Sequence, residues 1–247
     1  MILDVENLTG GYFMRPVLKD LSFTVNEGEL VGLIGLNGAG KSTTIKHIIG
    51  LLQAQSGQIL VGETSIKKDP INYKKKLAYI PETPVLYEEL TLKEHLEMTI
   101  MAYDLDYETA FQKALSLLKI FRLDNKLDWF PANFSKGMKQ KVMITCAFMT
   151  EAELFIIDEP FLGLDPLATR DLLNLIDQVK QRGAGVLMST HVLSTAEKYC
   201  DRFVMIDQGS LKAKGTLAEL RDLYGAKDAS LADIYLGMTE LAGEEHA

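Results

Sequence analysis

The segment Gly35-Leu36-Asn37-Gly38-Ala39-Gly40-Lys41-Ser42 constrains this chain more than any other, because of what stands on either side of it. Before it runs Leu30-Val31-Gly32-Leu33-Ile34, apolar without alternation, which predicts a strand buried on both faces. After it, Lys41 to Leu52 has helical spacing. A strand, a glycine-rich turn ending in lysine and a hydroxyl residue, and a helix form the pattern G-x-x-x-x-G-K-[ST] in the context it requires. The glycines let the backbone aim its N–H groups inward, and the helix start adds partial positive charge. Lys41 can reach β- and γ-phosphates, and the Ser42 hydroxyl can ligate Mg²⁺. The stretch from Gly35 to Thr43 is therefore expected to cradle the phosphates of a nucleotide.

The elements around the loop set the fold class. Ile2 to Leu8 and Leu18 to Val25 read as strands with turn residues Gly10 and Gly11 between them. Gln58 to Val61 and Leu77 to Ile80 read as further short strands. From Thr91 to about Thr150 the pattern is helical, interrupted at Pro131 and Gly137. Alternation of strand and helix then returns, with strands at Leu154 to Ile157, Val186 to Ser189 and Phe203 to Ile206 and helices at Pro166 to Arg182 and Val192 to Tyr199. Such alternation predicts an α/β fold with a parallel sheet and helices on both faces, the helical middle being an insertion. The expected division is a core of residues 1–82 and 151–215, a helical subdomain of 83–150, and a helical tail of 216–247 whose end, Gly243 to Ala247, frays.

Phosphoryl transfer needs a metal ligand and a group that positions water. Leu154-Phe155-Ile156-Ile157-Asp158-Glu159 offers both at a strand end: Asp158 for Mg²⁺, and Glu159 on the opposite face to polarise a water. The same pair could simply end a strand in a turn. His191, one strand later, can donate to a γ-phosphate or serve structure alone. Ser135 precedes a helix marked by Met138, Val142, Cys146 and Met149, and Gly137 leaves backbone N–H groups accessible. Ordinary helix capping accounts for that segment, and it also suits a phosphate.

Taken together, Gly35 to Ser42, Phe134-Ser135-Lys136-Gly137-Met138-Lys139-Gln140-Lys141, Asp158-Glu159, Gly163-Leu164-Asp165 and His191 resemble the motifs of the ATP-binding-cassette family in their usual order. The similarity extends to about Gly215, and Ile80 to Thr91 together with Phe134 to Lys141 resembles the wording of one branch, that of bacilli and their relatives. The resemblance implies a P-loop NTPase fold: a RecA-like mixed sheet, an N-terminal antiparallel β subdomain and an inserted α-helical subdomain. It implies an ATPase that drives transport, with ATP and Mg²⁺ as cofactors and export as the favoured direction. Two cassettes would face head to tail, Ser135 and Gly137 of one meeting the γ-phosphate held by Lys41 of the other. On this resemblance Glu159 is the general base, Asp158 the metal ligand and His191 the γ-phosphate sensor. Asp165 links the two sites, although a helix N-cap before Pro166 would also explain it. Tyr12 matches the residue that stacks on adenine, with a turn tyrosine beside Phe13 as the alternative.

Two residues depart from the family pattern. Glu82 stands where glutamine is usual and could ligate Mg²⁺, and Lys136 replaces a signature glycine, adding positive charge at the anion site. Thr83 to Tyr103 would receive a separate integral membrane permease, with Val85, Leu86, Tyr87 and Leu90 either in that contact or in the core.

Composition fits these expectations. No apolar run approaches the ~18 residues needed to cross a bilayer, the longest being Leu30 to Leu36 and Val142 to Met149. Met1 to Glu6 carries no basic stretch before an apolar one, so no secretory signal is expected. A net charge of −8 opposes nonspecific attraction to nucleic acid, and Lys67, Lys68, Lys74, Lys75 and Lys76 read as a solvated surface. Cys146 and Cys200 read as core thiols of a reduced cytosolic protein. The expected location is the cytoplasmic side of the cell membrane, held there by the permease. A soluble cassette ATPase with cytosolic partners, such as a cluster-assembly ATPase, and a nucleotide sensor without turnover are the competing readings.

Overall fold

A computed structural model describes residues 1–13, 15–225 and 228–244, with side chains up to Met238. Two sheets pack face to face at the centre. The first, antiparallel, has the order β2-β1-β4-β5: β1 is Leu3–Tyr12, β2 Arg15–Val25, β4 Ser56–Val61 and β5 Thr64–Ser65. The second has the order β10-β9-β3-β8-β7-β6, with β3 at Leu30–Ile34, β6 at Leu77–Ile80, β7 at Leu154–Asp158, β8 at Gly185–Thr190, β9 at Arg202–Asp207 and β10 at Ser210–Gly215. All its pairs are parallel except β9 with the edge strand β10.

The pleat sorts the core. Leu154 and Ile156 of β7 face the first sheet together with Ile45 and Ile48 of α1, Lys41–Ile48. Phe155 and Ile157 face the other way, into a cluster built by α3 (Leu92–Tyr103), α4 (Tyr107–Phe121), α5 (Lys136–Phe148) and α6 (Pro166–Gln181). The helical insertion therefore shares one core with the sheet. Phe155 stacks on Phe148 at 4.9 Å between centroids, so truncating it to alanine costs about 3–5 kcal/mol. One face thus carries helices, while the other carries the antiparallel sheet and α1.

A third cluster joins the tail to the β9 edge. Helices α7 (Leu193–Tyr199), α8 (Leu217–Leu223) and α9 (Leu231–Glu244) pack there around Ile34, Phe203 and Met205. Residues 245–247, where fraying is expected, lie outside the described residues.

Several sequence expectations need correction. Gly10 and Gly11 lie inside β1, pairing with Leu18 and Pro16, because the hairpin turns later, at Phe13 with φ +47°. Helix α1 stops at Ile48 rather than Leu52, where Gly50 turns the chain at φ +79°. Gly137 does not interrupt a helix but lies in the first turn of α5, while Pro131 opens a short 3₁₀ turn, Pro131–Asn133. The short strands β5 and β10, and α2 at Pro70–Lys75, carry too little periodicity to be read from sequence. Among the basic residues, Lys75 pairs with Asp104 at 3.0 Å and Lys76 with Glu153 at 3.2 Å. Cys146 and Cys200 are free, half-buried and packed against the core, and burial pushes their thiols up to about 11 and about 12. No helix among the described residues is long and apolar enough to cross a membrane.

Candidate functional site

Four neighbouring strands, β3, β8, β7 and β6, run parallel, so their carboxyl ends open on one edge. That edge is where α/β sheets place ligands. The register sets Ile34 beside Thr190, Asp158 beside Ser189 and Ile80 beside Ile157. The residues that follow these strands then meet in one cavity of about 270 Å³, lined by Leu36, Asn37, Gly38, Gly40, Lys41, Ser42, Thr43, Glu82, Asp158, Glu159 and His191.

The glycine-rich turn is shaped by Gly40, which caps α1 at φ +114°, a conformation that L side chains rarely adopt. Behind it, Gly35 and Ala39 do not line the cavity; they pack the loop against the sheet and the β9–β10 turn, where the Gly209 N–H donates to the Ala39 carbonyl at 2.9 Å. The Lys41 ammonium donates to the carbonyl of Gly35 at 2.7 Å and of Leu36 at 3.3 Å. Burial holds its pKa below the usual lysine value, against the pull of Glu159, Asp158 and Glu82.

Asp158 is 6% exposed and accepts from the Ser189 hydroxyl on β8. Burial pushes its pKa up; the Ser189 bond and Lys41 oppose this, and the nearby charges of Glu82 and Glu159 reinforce it. Among the described residues no cation lies within ion-pair distance of Asp158. Glu159 follows at φ +48° and turns its carboxylate to His191, whose Nδ1 is 2.7 Å from Oε1, while the Thr190 hydroxyl donates to Oε2 at 3.3 Å. An ionised carboxylate can only accept, so the proton of this contact belongs to Nδ1. The structure thus brings Lys41, Ser42, Glu82, Asp158, Glu159 and His191 to one cavity.

Besides Gly35 and Ala39, four expected site residues lie outside that cavity. Tyr12 ends β1, and its hydroxyl accepts from Lys46 of α1 at 3.0 Å, which ties the hairpin to the helix that follows the loop. Ser135 caps α5, accepting from the Met138 N–H at 3.2 Å. Gly137 comes so close to its neighbour that a Cβ there would stand 2.7 Å from the Gly163 carbonyl. Asp165 caps α6 by accepting from the Ala168 N–H at 2.8 Å, and it pairs with Lys141 of α5 at 2.8 Å. Those bonds hold its carboxyl down at about 2. Ser135, Gly137 and Asp165 thus belong to a second assembly, built where α5 meets the 163–165 turn. The Lys136 stem runs past Gly163 in that assembly.

Sequence reasoning missed the residues that hold these groups. Ser189 and Thr190 orient the two carboxylates, and their only sequence signal is a polar ending to an apolar strand. Gln140 donates to the Pro81 carbonyl at 3.3 Å and Lys139 pairs with Glu88 at 2.9 Å, so α5 is tied to the segment after β6.

Comparison with known proteins places the chain in a family. The family described as ABC transporter matches residues 18–162. The ABC-type transporter ATP-binding protein EcsA of Bacillus subtilis is 58% identical over 245 residues, 99% of each chain. The lipopolysaccharide export system ATP-binding protein LptB of Escherichia coli is 30% identical over 238 residues, 95% of this chain and 97% of that one. A solved structure of an ABC transporter ATP-binding subunit superposes with a TM-score of 0.94 at 54% identity, covering 97% of this chain and all of the other.

Proposed function

This chain belongs to the ABC transporter family as an ATP-binding subunit, and from that premise we propose that two copies close head to tail around two ATP molecules and drive a separate membrane-spanning partner. Its activity is ATP hydrolysis coupled to transport. The observation that carries the paired arrangement is the split site: the phosphate cradle and the Ser135 helix end are two assemblies of one chain, and the carboxylates Asp158 and Glu159 line Lys41's cavity. A second copy supplies the missing wall of each cradle.

In the proposed assignment the backbone from Gly35 to Thr43 wraps the phosphates, and Lys41, which has three donors, keeps the Gly35 carbonyl and turns its other N–H groups from the Leu36 carbonyl to the β- and γ-phosphates. Tyr12 stacks on the base. Glu159 takes the proton of the attacking water, and His191 holds that carboxylate and reports the γ-phosphate. Ser135 and Gly137 of the mate close on the γ-phosphate, and Asp165 with Lys141 links that helix end to the interface. Ser42, Glu82 and Asp158 bring hard oxygen donors to one cavity, and neither Glu82 nor Asp158 is ion-paired among the described residues, a set that fits Mg²⁺. Mg²⁺, when bound, neutralises charge on the phosphate oxygens.

The helical subdomain is assigned to 83–150, between a core of 1–82 and 151–215 and the tail. The surface for the permease is proposed on Thr83 to Tyr103. Val85 and Tyr87 are exposed there with Met101, while Leu86 packs inward against the core. The Gln140 and Lys139 contacts to Pro81 and Glu88 give that surface a mechanical link to the Ser135 helix. The proposed location is the cytoplasmic face of the cell membrane, with export as the direction, the latter supported by likeness to the ATP-binding protein of a lipopolysaccharide export system.

The test is Glu159→Gln. This variant is expected to bind ATP, to slow phosphate release at least about 100-fold, and to run as a dimer on gel filtration with ATP and Mg²⁺. A variant that stays monomeric under those conditions would overturn the paired assembly.

A further inference from the structure

The peptide joining Gly35 to Leu36 is gripped on both sides. Its carbonyl, on Gly35, accepts from the Lys41 ammonium at 2.7 Å. Its N–H, on Leu36, donates to the Tyr235 hydroxyl at 3.0 Å. Tyr235 belongs to α9, 199 residues further along the chain, and is 2% exposed. We infer that α9 is a strut for the phosphate loop, and that Tyr235 is a positioning residue for ATP binding that acts through the Gly35–Leu36 peptide on Lys41.

The strut is itself held. Its ring packs with Ile34, Phe203 and Met205, so the residue that ends β3 and begins the loop shares its cluster. The Leu231 N–H donates to Glu197 of α7 at 2.8 Å, and α7 starts two residues after His191. A tail that only covered the β9 edge would need nothing polar at position 235. A phenol oxygen buried there costs desolvation unless it is bonded, and the loop amide is a partner that bonds it. Accepting from that amide also polarises the peptide toward its carbonyl, which strengthens the hold on the ammonium. If the peptide turned over, an N–H would face the lysine in place of an oxygen.

The inference rests on the reading of this cavity as an ATP site. In the full chain, Tyr235→Phe keeps the ring and its packing and removes only the oxygen. The Leu36 N–H then lacks its acceptor, and the loop spends less time in the gripping arrangement. Calorimetric ATP affinity is expected to fall about 5- to 15-fold, with KM for ATP rising in step and kcat near the parent value. Hydrogen exchange at the Leu36 amide is expected to accelerate. Tyr224→Phe, which removes a hydroxyl from the same apolar cluster, keeps parent values in each measurement. By linkage, ATP should slow exchange across Ile234 to Met238 in the unmodified chain, a readout that needs no variant. Unchanged ATP affinity in Tyr235→Phe, or ATP that leaves exchange in Ile234 to Met238 unaltered, overturns the strut. A parent chain that fails to bind ATP instead overturns the nucleotide reading.

Discussion

Asp158 is a charged residue placed where burial works against it, at the end of a strand whose every residue is buried. Its folded pKa lies above that of the unfolded chain, so the folded state binds more protons between those two values. Stability therefore falls as pH rises through that window, and the cost is fully present at neutral pH. Asp158→Asn, which can still accept from Ser189, is expected to raise the melting temperature at pH 7 by about 3 °C. The gain should shrink toward zero as pH approaches about 4. Scanning calorimetry at several pH values checks this, and loss of ATPase activity in the same variant would show that function retains the cost. Glu159 bears a backbone cost instead, as a non-glycine in the left-handed region whose position is maintained by His191 and Thr190.

At the scale of elements, α5 and α6 meet through one carboxylate. Asp165 caps α6 and pairs with Lys141 of α5, and its folded pKa of about 2 lies below the ordinary aspartate value. The sign is opposite to that of Asp158: the stabilisation is present above about 4 and is lost as pH falls toward about 2. Asp165→Ala is expected to cost about 1 kcal/mol at pH 7, chiefly through the lost cap. Urea midpoints should show that difference narrowing between about pH 4 and about pH 2. Of the elements themselves, β3, β7, α1 and α6 were readable because each is a long apolar run or a periodic pattern with a clear start, such as Asp165-Pro166. Strand β10 was not, because Ser210 to Gly215 alternates too weakly to stand apart from a loop. It forms because the turn at Gly209 returns the chain along β9.

For the whole molecule, the proposed division of each site between two copies has a stoichiometric consequence. Lys41→Ala and Ser135→Ala chains should each be nearly inactive alone. Mixed in equal amounts they form some dimers in which one site carries both defects and the other carries neither. Random pairing then restores about a quarter of the parent phosphate release. No recovery on mixing, with dimers confirmed by light scattering, would mean that each chain completes its own site.

The phosphate loop, the strand-end carboxylates and the expectation of an α/β fold were legible in the sequence, because each rests on contiguous residues with a local physical requirement. Glycines must turn a loop, a lysine must follow them, and an apolar strand must end where a charge begins. Only the tertiary structure decided which groups meet. Parallel pairing of β3, β8, β7 and β6 carried Glu82, Asp158, Glu159 and His191 to the edge where Lys41 waits, and it set Ser189 and Thr190 beside the carboxylates. The same packing put Tyr235 of the tail against Leu36. Such contacts depend on sheet order and strand register, which are set by the burial of whole faces and leave no mark in any single stretch of sequence.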